Sequence, residues 1–349
     1  MRVRALVSRG ARAELAEVDL DDPRDDEVVV RIEAVGLCHT DLVTRRGLGQ
    51  RPAVLGHEGC GVVERAGRSA RGVAVGDRVV ISFASCGRCR ECLGGHPAYC
   101  LRSTDLNGRG RRTDGSATLT LGGEPVFGSY FGQSSFATHV LARASACVPV
   151  GDLAPHLAAP LACGFLTGAG AVLNVLRPRP GDRLLVAGAG SVGTAAVLTA
   201  RSEGVEVVDV VDPLPQRRAL AVECGATALA SWDELPEVTH ALDTTGRPEV
   251  VARALARLRT RGVLALVGLG AAEAVVDIRD LMLRGLQLRG CVEGDAVPGV
   301  LVPELVRRHR AGAFPVERLV TTYPLADFDR AVADQAAGRV LKPVLLPPT

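Results

Sequence analysis

Residues 1 to about 150 alternate apolar and polar positions over short stretches, among them Glu27 to Ala34, Gly59 to Glu64 and Arg78 to Ser82, with Gly, Pro and Asp between them. Period-two alternation bounded by turn formers predicts strands with one buried face, and hence an antiparallel, barrel-like domain. The opening "MRVRALVSRGARAELAEVDL" reads as strand, turn, strand, and the acidic "DLDDPRDDE" that overlaps its end as a solvated turn. From about Phe165 the pattern changes. Continuous apolar runs ("DRLLVAG", "VEVVDVVD", "THALDTTG", "RGVLALVGL", "LQLRGCVEG") are separated by segments of helical spacing. Runs apolar on both faces belong to parallel strands covered by helices, so this part predicts a doubly wound α/β domain. The C-terminal "RLVTTYPLADFDRAVADQAAGRVLKPVLL" returns to strand, helix, strand and is expected to rejoin the first domain.

Two domains also suit the length, since 349 residues exceed the roughly 250–300 at which a single core stops growing. The chain is 47% hydrophobic and 23% charged, with a formal net charge of +2, which excludes wholesale disorder. One uncharged run, Leu157 to Leu176, has the length of a membrane span. Pro160, Gly164, Gly168, Gly170 and Asn174 interrupt it, so it predicts a buried segment and no membrane contact. The N-terminus lacks the apolar stretch of a secretory signal, and a cytoplasmic location is expected. Thiols stay reduced there, so the ten cysteines predict metal sites rather than disulfides.

Four of them fall in "CGRCRECLGGHPAYC", spaced C-x2-C-x2-C-x7-C: Cys86, Cys89, Cys92 and Cys100. Four thiolates fill a tetrahedral zinc shell and leave no open position, which makes the site structural. Cys38 in "GLCHTD", His57 with Glu58 in "LGHEGCG", and Cys163 in "PLACGFLTG" form a second candidate set. Two thiolates and one imidazole would leave a fourth position for water or substrate, as a catalytic zinc requires, with Glu58 able to enter the shell transiently. For Cys60, Cys147, Cys224 and Cys291 no partner ligands are near in sequence, and they read as small core hydrophobes.

"LLVAGAGSVGTAAVLTA" places Gly188, Gly190 and Gly193 in G-x-G-x-x-G spacing between an apolar strand and an Ala-rich helix. The first glycine serves the tight turn, the second the approach of a pyrophosphate, the third the packing of helix on strand. Asp212 follows Gly193 by nineteen residues at the end of the next strand, where a carboxylate binds both ribose hydroxyls and repels a 2′-phosphate, favouring NAD. Asp209 is the rival acid, but it falls within the strand.

These features, in this order, resemble the zinc-dependent medium-chain alcohol dehydrogenase family over essentially the whole chain. "GLCHTD", "FGQSSFATHVLA", "CGFLTGAGAVLNVLRPRPGD" and "VEGDAVP" are most similar to its aryl and allylic (benzyl alcohol) subgroup. The resemblance implies an α/β protein with a GroES-like β-barrel catalytic domain, residues 1–163 and 296–349, and a Rossmann domain, 164–295. It implies catalytic zinc on Cys38, His57 and Cys163, structural zinc on Cys86, Cys89, Cys92 and Cys100, and NAD on the Gly188–Gly193 loop and Asp212. His39 and Lys342 are then expected on the cofactor pyrophosphate, Arg217 on the adenosine ribose, and Thr167 with Val192 at the nicotinamide. Asp41 would orient the His57 ring, and Thr40 would take the alcohol proton. The implied reaction is oxidation of a primary alcohol to its aldehyde with hydride transfer to NAD, in a homodimer or homotetramer. Val43 stands where many relatives carry the histidine that ends the proton relay. Phe83, Tyr130 and Phe131 are candidate pocket aromatics.

Two other functions compete with this one. A dehydrogenase for secondary alcohols, polyols or a specialised biosynthetic intermediate would share the whole apparatus. A zinc-ribbon nucleic-acid binder would use Arg88, Arg90, Arg102, Arg109, Arg111 and Arg112 around the cysteine loop. The near-zero charge and the unused nucleotide motif argue against the latter, so no nucleic-acid partner is expected.

Overall fold

The computed structural model describes Met1–Pro348. The chain forms two compact units, one of Met1–Cys163, Val297–Arg307 and the segment from Val316 onward, the other of Gly164–Ala296 and Arg308–Pro315. Arg308–Pro315 groups with the second unit because Phe314 is fully buried with its ring edge-on to Phe165, and Arg308 pairs with Glu203 at 2.7 Å.

Among its described residues the first unit holds a five-stranded and a seven-stranded sheet, largely antiparallel. Arg2–Arg9 pairs with Arg12–Leu20, and alternation along the first of these strands buries Val3, Ala5 and Val7. In the larger sheet Glu27–Gly36 is central, with Gly59–Ala66 on one side. On the other side it pairs first with His139–Arg143 and then, at Val35 and Gly36, with the C-terminal strand Lys342–Leu346. That last pairing carries Lys342, the sole lysine, to the segment that precedes Cys38. The acidic stretch near residue 20 is more than a solvated turn. Asp21 and Glu27 hold the buried guanidinium of Arg112, at 2.6 Å from Asp21 and 2.8 and 2.9 Å from Glu27, so these acids tie the stretch to a segment some ninety residues on.

The second unit is a parallel six-stranded sheet ordered Thr227–Leu229, Val207–Val211, Arg183–Ala187, Val238–Asp243, Leu258–Leu266, Gln287–Gly290. This is the doubly wound order, whose ligand crevice lies outside the carboxyl ends of the strands where the order reverses. The edge strand Thr227–Leu229 has no counterpart among the expected strands, being three residues long. No single helix among the described residues is long and apolar enough to cross a membrane. The uncharged run is core: Phe165, Leu166 and Ala169 are fully buried.

Candidate active site and metal centres

Cys38 precedes the helix His39–Leu48, whose third residue is Asp41. That carboxylate, buried itself, organises the whole segment. Oδ2 accepts from the Cys38 amide at 3.0 Å, and Oδ1 accepts from Gly56 N at 3.1 Å and lies 2.9 Å from His57 Nδ1. With Nδ1 so engaged, His57 turns Nε2 inward, where it is buried with no hydrogen-bond partner. The ligand atoms of Cys38, His57, Glu58 and Cys163 all lie within 4.8 Å of one another. A buried imidazole nitrogen that lacks a partner, facing two cysteines, fits a zinc ion with three protein ligands.

The electrostatics agree. The Cys38 thiol is held well below its ordinary range, first by a hydrogen bond from Cys163 and further by His57 and Lys342, against the opposing effect of burial. Burial works against charge on His57, but Asp41 and Cys38 outweigh it and raise its pKa well above the usual value.

The ring of Phe131 stacks on the His57 imidazole at 4.5 Å and 27°, and Tyr130 meets the same ring edge-on at 5.6 Å. Two of the three candidate aromatics therefore flank the proposed metal ligand. Phe83 is buried. The Thr40 hydroxyl is 3.5 Å from Cys38 Sγ. Beside it, the hydroxyl of Tyr130, one of the candidate aromatics, shares a 2.8 Å hydrogen bond with Thr44, a residue next to Val43 that sequence reasoning missed, and reaches the Thr40 carbonyl at 3.4 Å. Lys342, expected on the cofactor, is 1% exposed, and its ammonium lies 2.6 Å from Glu58. Glu58 is thereby held by Lys342. His39 is exposed.

The second cysteine set is also converged, with all four sulfurs within 4.8 Å. Cys89–Cys92 and Cys86–Cys92 sulfur separations are 3.5 and 3.9 Å, against the roughly 3.8 Å edge of a tetrahedron with Zn–S bonds of about 2.3 Å. Backbone amides point at the sulfurs, Cys86 N and Arg102 N at Cys100, Cys89 N at Cys86. The amides of Cys92 and Leu101 bring the Cys89 thiol down to about 6, while burial pushes Cys92 up to about 12. Among the described residues the buried apolar cluster of this lobe is Ala84, Cys100 and Leu106, with the other cysteines against them. A lobe with so little core depends on its metal for folding free energy. Cys89→Ser is therefore expected to release one zinc per chain and lower the melting temperature; parental zinc content and an unchanged melt would refute the structural assignment.

In the second unit, Gly188 sits at φ +98° in the turn after Arg183–Ala187, and Ser191–Ser202 opens directly beyond Gly190. Gly193 cannot carry a side chain: a Cβ would lie 1.9 Å from the Gly188 carbonyl. Asp212 caps the next strand, its carboxylate accepting from Ala189 N and Leu214 N at 2.8 Å each, with Arg217 at 4.0 Å. Asp209 is spent on Arg183. Thr167 lies 3.5 Å from Glu293, and Val192 is half-buried in the first turn of the helix. The structure thus joins the glycine loop to Asp212 within one sheet end. The arginines near the cysteine lobe are largely engaged: Arg112 as above, Arg102 and Arg109 on Asp105, Arg90 on Glu91.

Residues 24–152 match the alcohol dehydrogenase GroES-like domain, and residues 191–307 match the zinc-binding dehydrogenase domain. The chain belongs to the zinc-dependent medium-chain alcohol dehydrogenase family. This dehydrogenase is 44% identical over 346 residues to a geraniol dehydrogenase of Castellaniella defragrans, covering 94% of this chain and 93% of that protein. Among solved structures, a zinc-binding alcohol dehydrogenase domain protein from Burkholderia ambifaria superposes with a TM-score of 0.95 at 42% identity, covering all of both chains. Benzyl alcohol dehydrogenase from Acinetobacter calcoaceticus superposes at 0.94 with 36% identity, again over all of both chains. The dehydrogenase is accordingly an oxidoreductase with a GroES-like and a Rossmann-type domain, and small-molecule alcohols are its class of substrate.

Proposed function

We propose that this dehydrogenase oxidises primary aryl or allylic alcohols to aldehydes, with hydride transfer to NAD, at the Cys38–His57–Cys163 centre. The observation that carries the reading is the aromatic wall: Phe131 stacked on the His57 ring with Tyr130 edge-on. A flat, apolar alcohol finds an aromatic surface directly beside the metal position. That the similar geraniol and benzyl alcohol dehydrogenases are named for such alcohols supports it.

Cys38, His57 and Cys163 would hold a zinc ion, which when bound would supply the Lewis acidity that lowers the pKa of an alcohol hydroxyl. The nicotinamide provides the hydride acceptor. The protein's part is placement. Asp41 fixes the His57 tautomer and ring, Cys38 and Cys163 supply negative charge to the metal, and the Thr40 hydroxyl beside Cys38 takes the alcohol proton. Val43 cannot carry that proton on, and the Thr44–Tyr130 hydroxyl pair beside it meets Thr40 only at its backbone carbonyl, so the proton leaves the Thr40 hydroxyl by way of solvent. The glycine loop and Asp212 hold the dinucleotide, with Arg217 at the ribose and Thr167 and Val192 at the nicotinamide.

Rates of NADH formation with benzyl, cinnamyl, geranyl, ethyl and secondary alcohols test the reading. Preference for the first three is expected; a preference for secondary alcohols, or no turnover of any, overturns it. Asp212→Asn removes the charge that repels a 2′-phosphate while keeping one acceptor oxygen. We expect the NADP-to-NAD ratio of kcat/KM to rise about tenfold, the worth of one charge-assisted hydrogen bond. A parent that already prefers NADP would refute the role of Asp212.

Both cysteine sets must stay reduced to hold metal, which suits a cytoplasmic enzyme. The open sheet edge Gln287–Gly290, with Ile278, Met282 and Leu283 exposed in the helix before it, suits assembly into a homo-oligomer.

A further inference from the structure

Gln133 is 2% exposed, and its side-chain amide makes four hydrogen bonds. Nε2 donates to the carbonyls of His57 at 2.9 Å and Ile81 at 2.8 Å. Oε1 accepts from Gly59 N at 3.1 Å and from the Ser135 hydroxyl. The His57 and Gly59 bonds close on the backbone either side of Glu58, so the segment carrying the ligating imidazole is clamped at both ends. Gly59 is what permits the approach, because a Cβ there would lie 2.3 Å from Ser135 Oγ.

The same residue sits in the loop that carries the aromatic wall. Ser129, Phe131 and Ser134 have φ of +54°, +51° and +63°, three left-handed non-glycine residues within six positions. Such backbone persists only where its surroundings over-determine it. Here the Ser134 hydroxyl donates to Val54 O at 2.6 Å and accepts from Tyr130 N at 2.9 Å, and Gln133, between Phe131 and Ser134, is pinned on both sides of the sheet segment. The left-handed turn at Phe131 lays its ring on the imidazole. Ligand and wall therefore share one support, an amide with each of its polar atoms spent.

We propose that Gln133 is a positioning residue that couples the His57 imidazole to the Tyr130–Phe131 wall and so sets the preference for flat alcohols over small ones. The proposal rests on the alcohol-oxidising reading above. It needs no contact between Gln133 and the substrate.

The test uses the full-length zinc enzyme and its cobalt-substituted form. Gln133→Glu keeps the size and the Oε1 acceptor but loses the two donors; Ser135→Ala removes one bond to Oε1 and is the milder variant. Asn107→Ala is the control for a lost buried amide, since Asn107 holds both backbone groups of Ala84 and the Ser103 carbonyl away from His57. For Gln133→Glu, KM for benzyl alcohol should rise about tenfold with a smaller change for ethanol, the scale of a displaced apolar wall, and the visible cobalt bands should shift. Ser135→Ala should move both readouts in the same direction by less, and it decides the matter where Gln133→Glu does not fold. Variants that melt lower, as Asn107→Ala does, yet keep the parental benzyl-to-ethanol ratio and cobalt spectrum overturn the proposal. A parent that turns over no alcohol overturns the functional reading instead, and the cobalt spectrum then still decides whether Gln133 positions His57.

Discussion

Cys163→Ser should abolish turnover while leaving the protein folded. The residue closes the turn Ala159–Ala162, which the Ser82 hydroxyl anchors through the Ala162 carbonyl at 2.7 Å, so the turn has an anchor of its own. Serine is smaller and fits the same space. What it cannot do is present a thiolate to zinc, and a neutral hydroxyl is a poor ligand for that ion. The Lewis acid contributes several kcal/mol to the transition state and each 1.36 kcal/mol is tenfold in rate, so kcat should fall by at least about a thousandfold. Metal analysis should show one zinc fewer per chain with an almost unchanged melt. Full activity would refute Cys163 as a ligand. Paired with Cys89→Ser, which trades stability rather than chemistry, the variant separates the two centres.

How legible these centres were follows from chain distance. The four cysteines from Cys86 to Cys100 span fifteen residues, and their spacing alone brings the sulfurs together. The glycine loop and Asp212 are joined by a single strand, helix, strand unit, which carries its own signal. Cys38, His57 and Cys163 are separated by up to 125 positions, and only the resemblance to a family joins them; the Asp41 bonds that seat them are visible only in three dimensions. Gln133 lies in the "FGQSSFATHVLA" stretch that carries the subgroup resemblance, but its role is not legible there, because a buried amide declares itself by its partners, here His57, Gly59, Ile81 and Ser135, not by its neighbours in the chain. The acids of "DLDDPRDDE" look like surface until Arg112, some ninety residues on, is seen between them. The missed strand Thr227–Leu229 is too short for a period to show.

Lys342→Met should be strongly destabilising. Lys342 and Glu58 are 1% and 0% exposed, with Nζ 2.6 Å and 2.7 Å from the two carboxylate oxygens and donating to the Leu37 carbonyl at 3.1 Å. Burial first, and Cys38 after it, raise the Glu58 pKa, and Lys342 works against that rise. Burial likewise opposes charge on Lys342, yet Glu58 and Cys38 hold its pKa above the usual value. Each charge is tolerable because the other is there. Methionine fills the volume but leaves a carboxylate buried without its counter-ion, a loss of about 3–5 kcal/mol. Chemical denaturation should show it as a lower midpoint with an unchanged slope. Removing both charges, in Glu58→Gln with Lys342→Met, should restore most of the loss, since a buried pair deleted as a whole costs far less than one deleted by half. A single variant as stable as the parent would mean that solvent reaches Glu58. A double variant no better than the single one would instead locate the loss in the Leu37 contact.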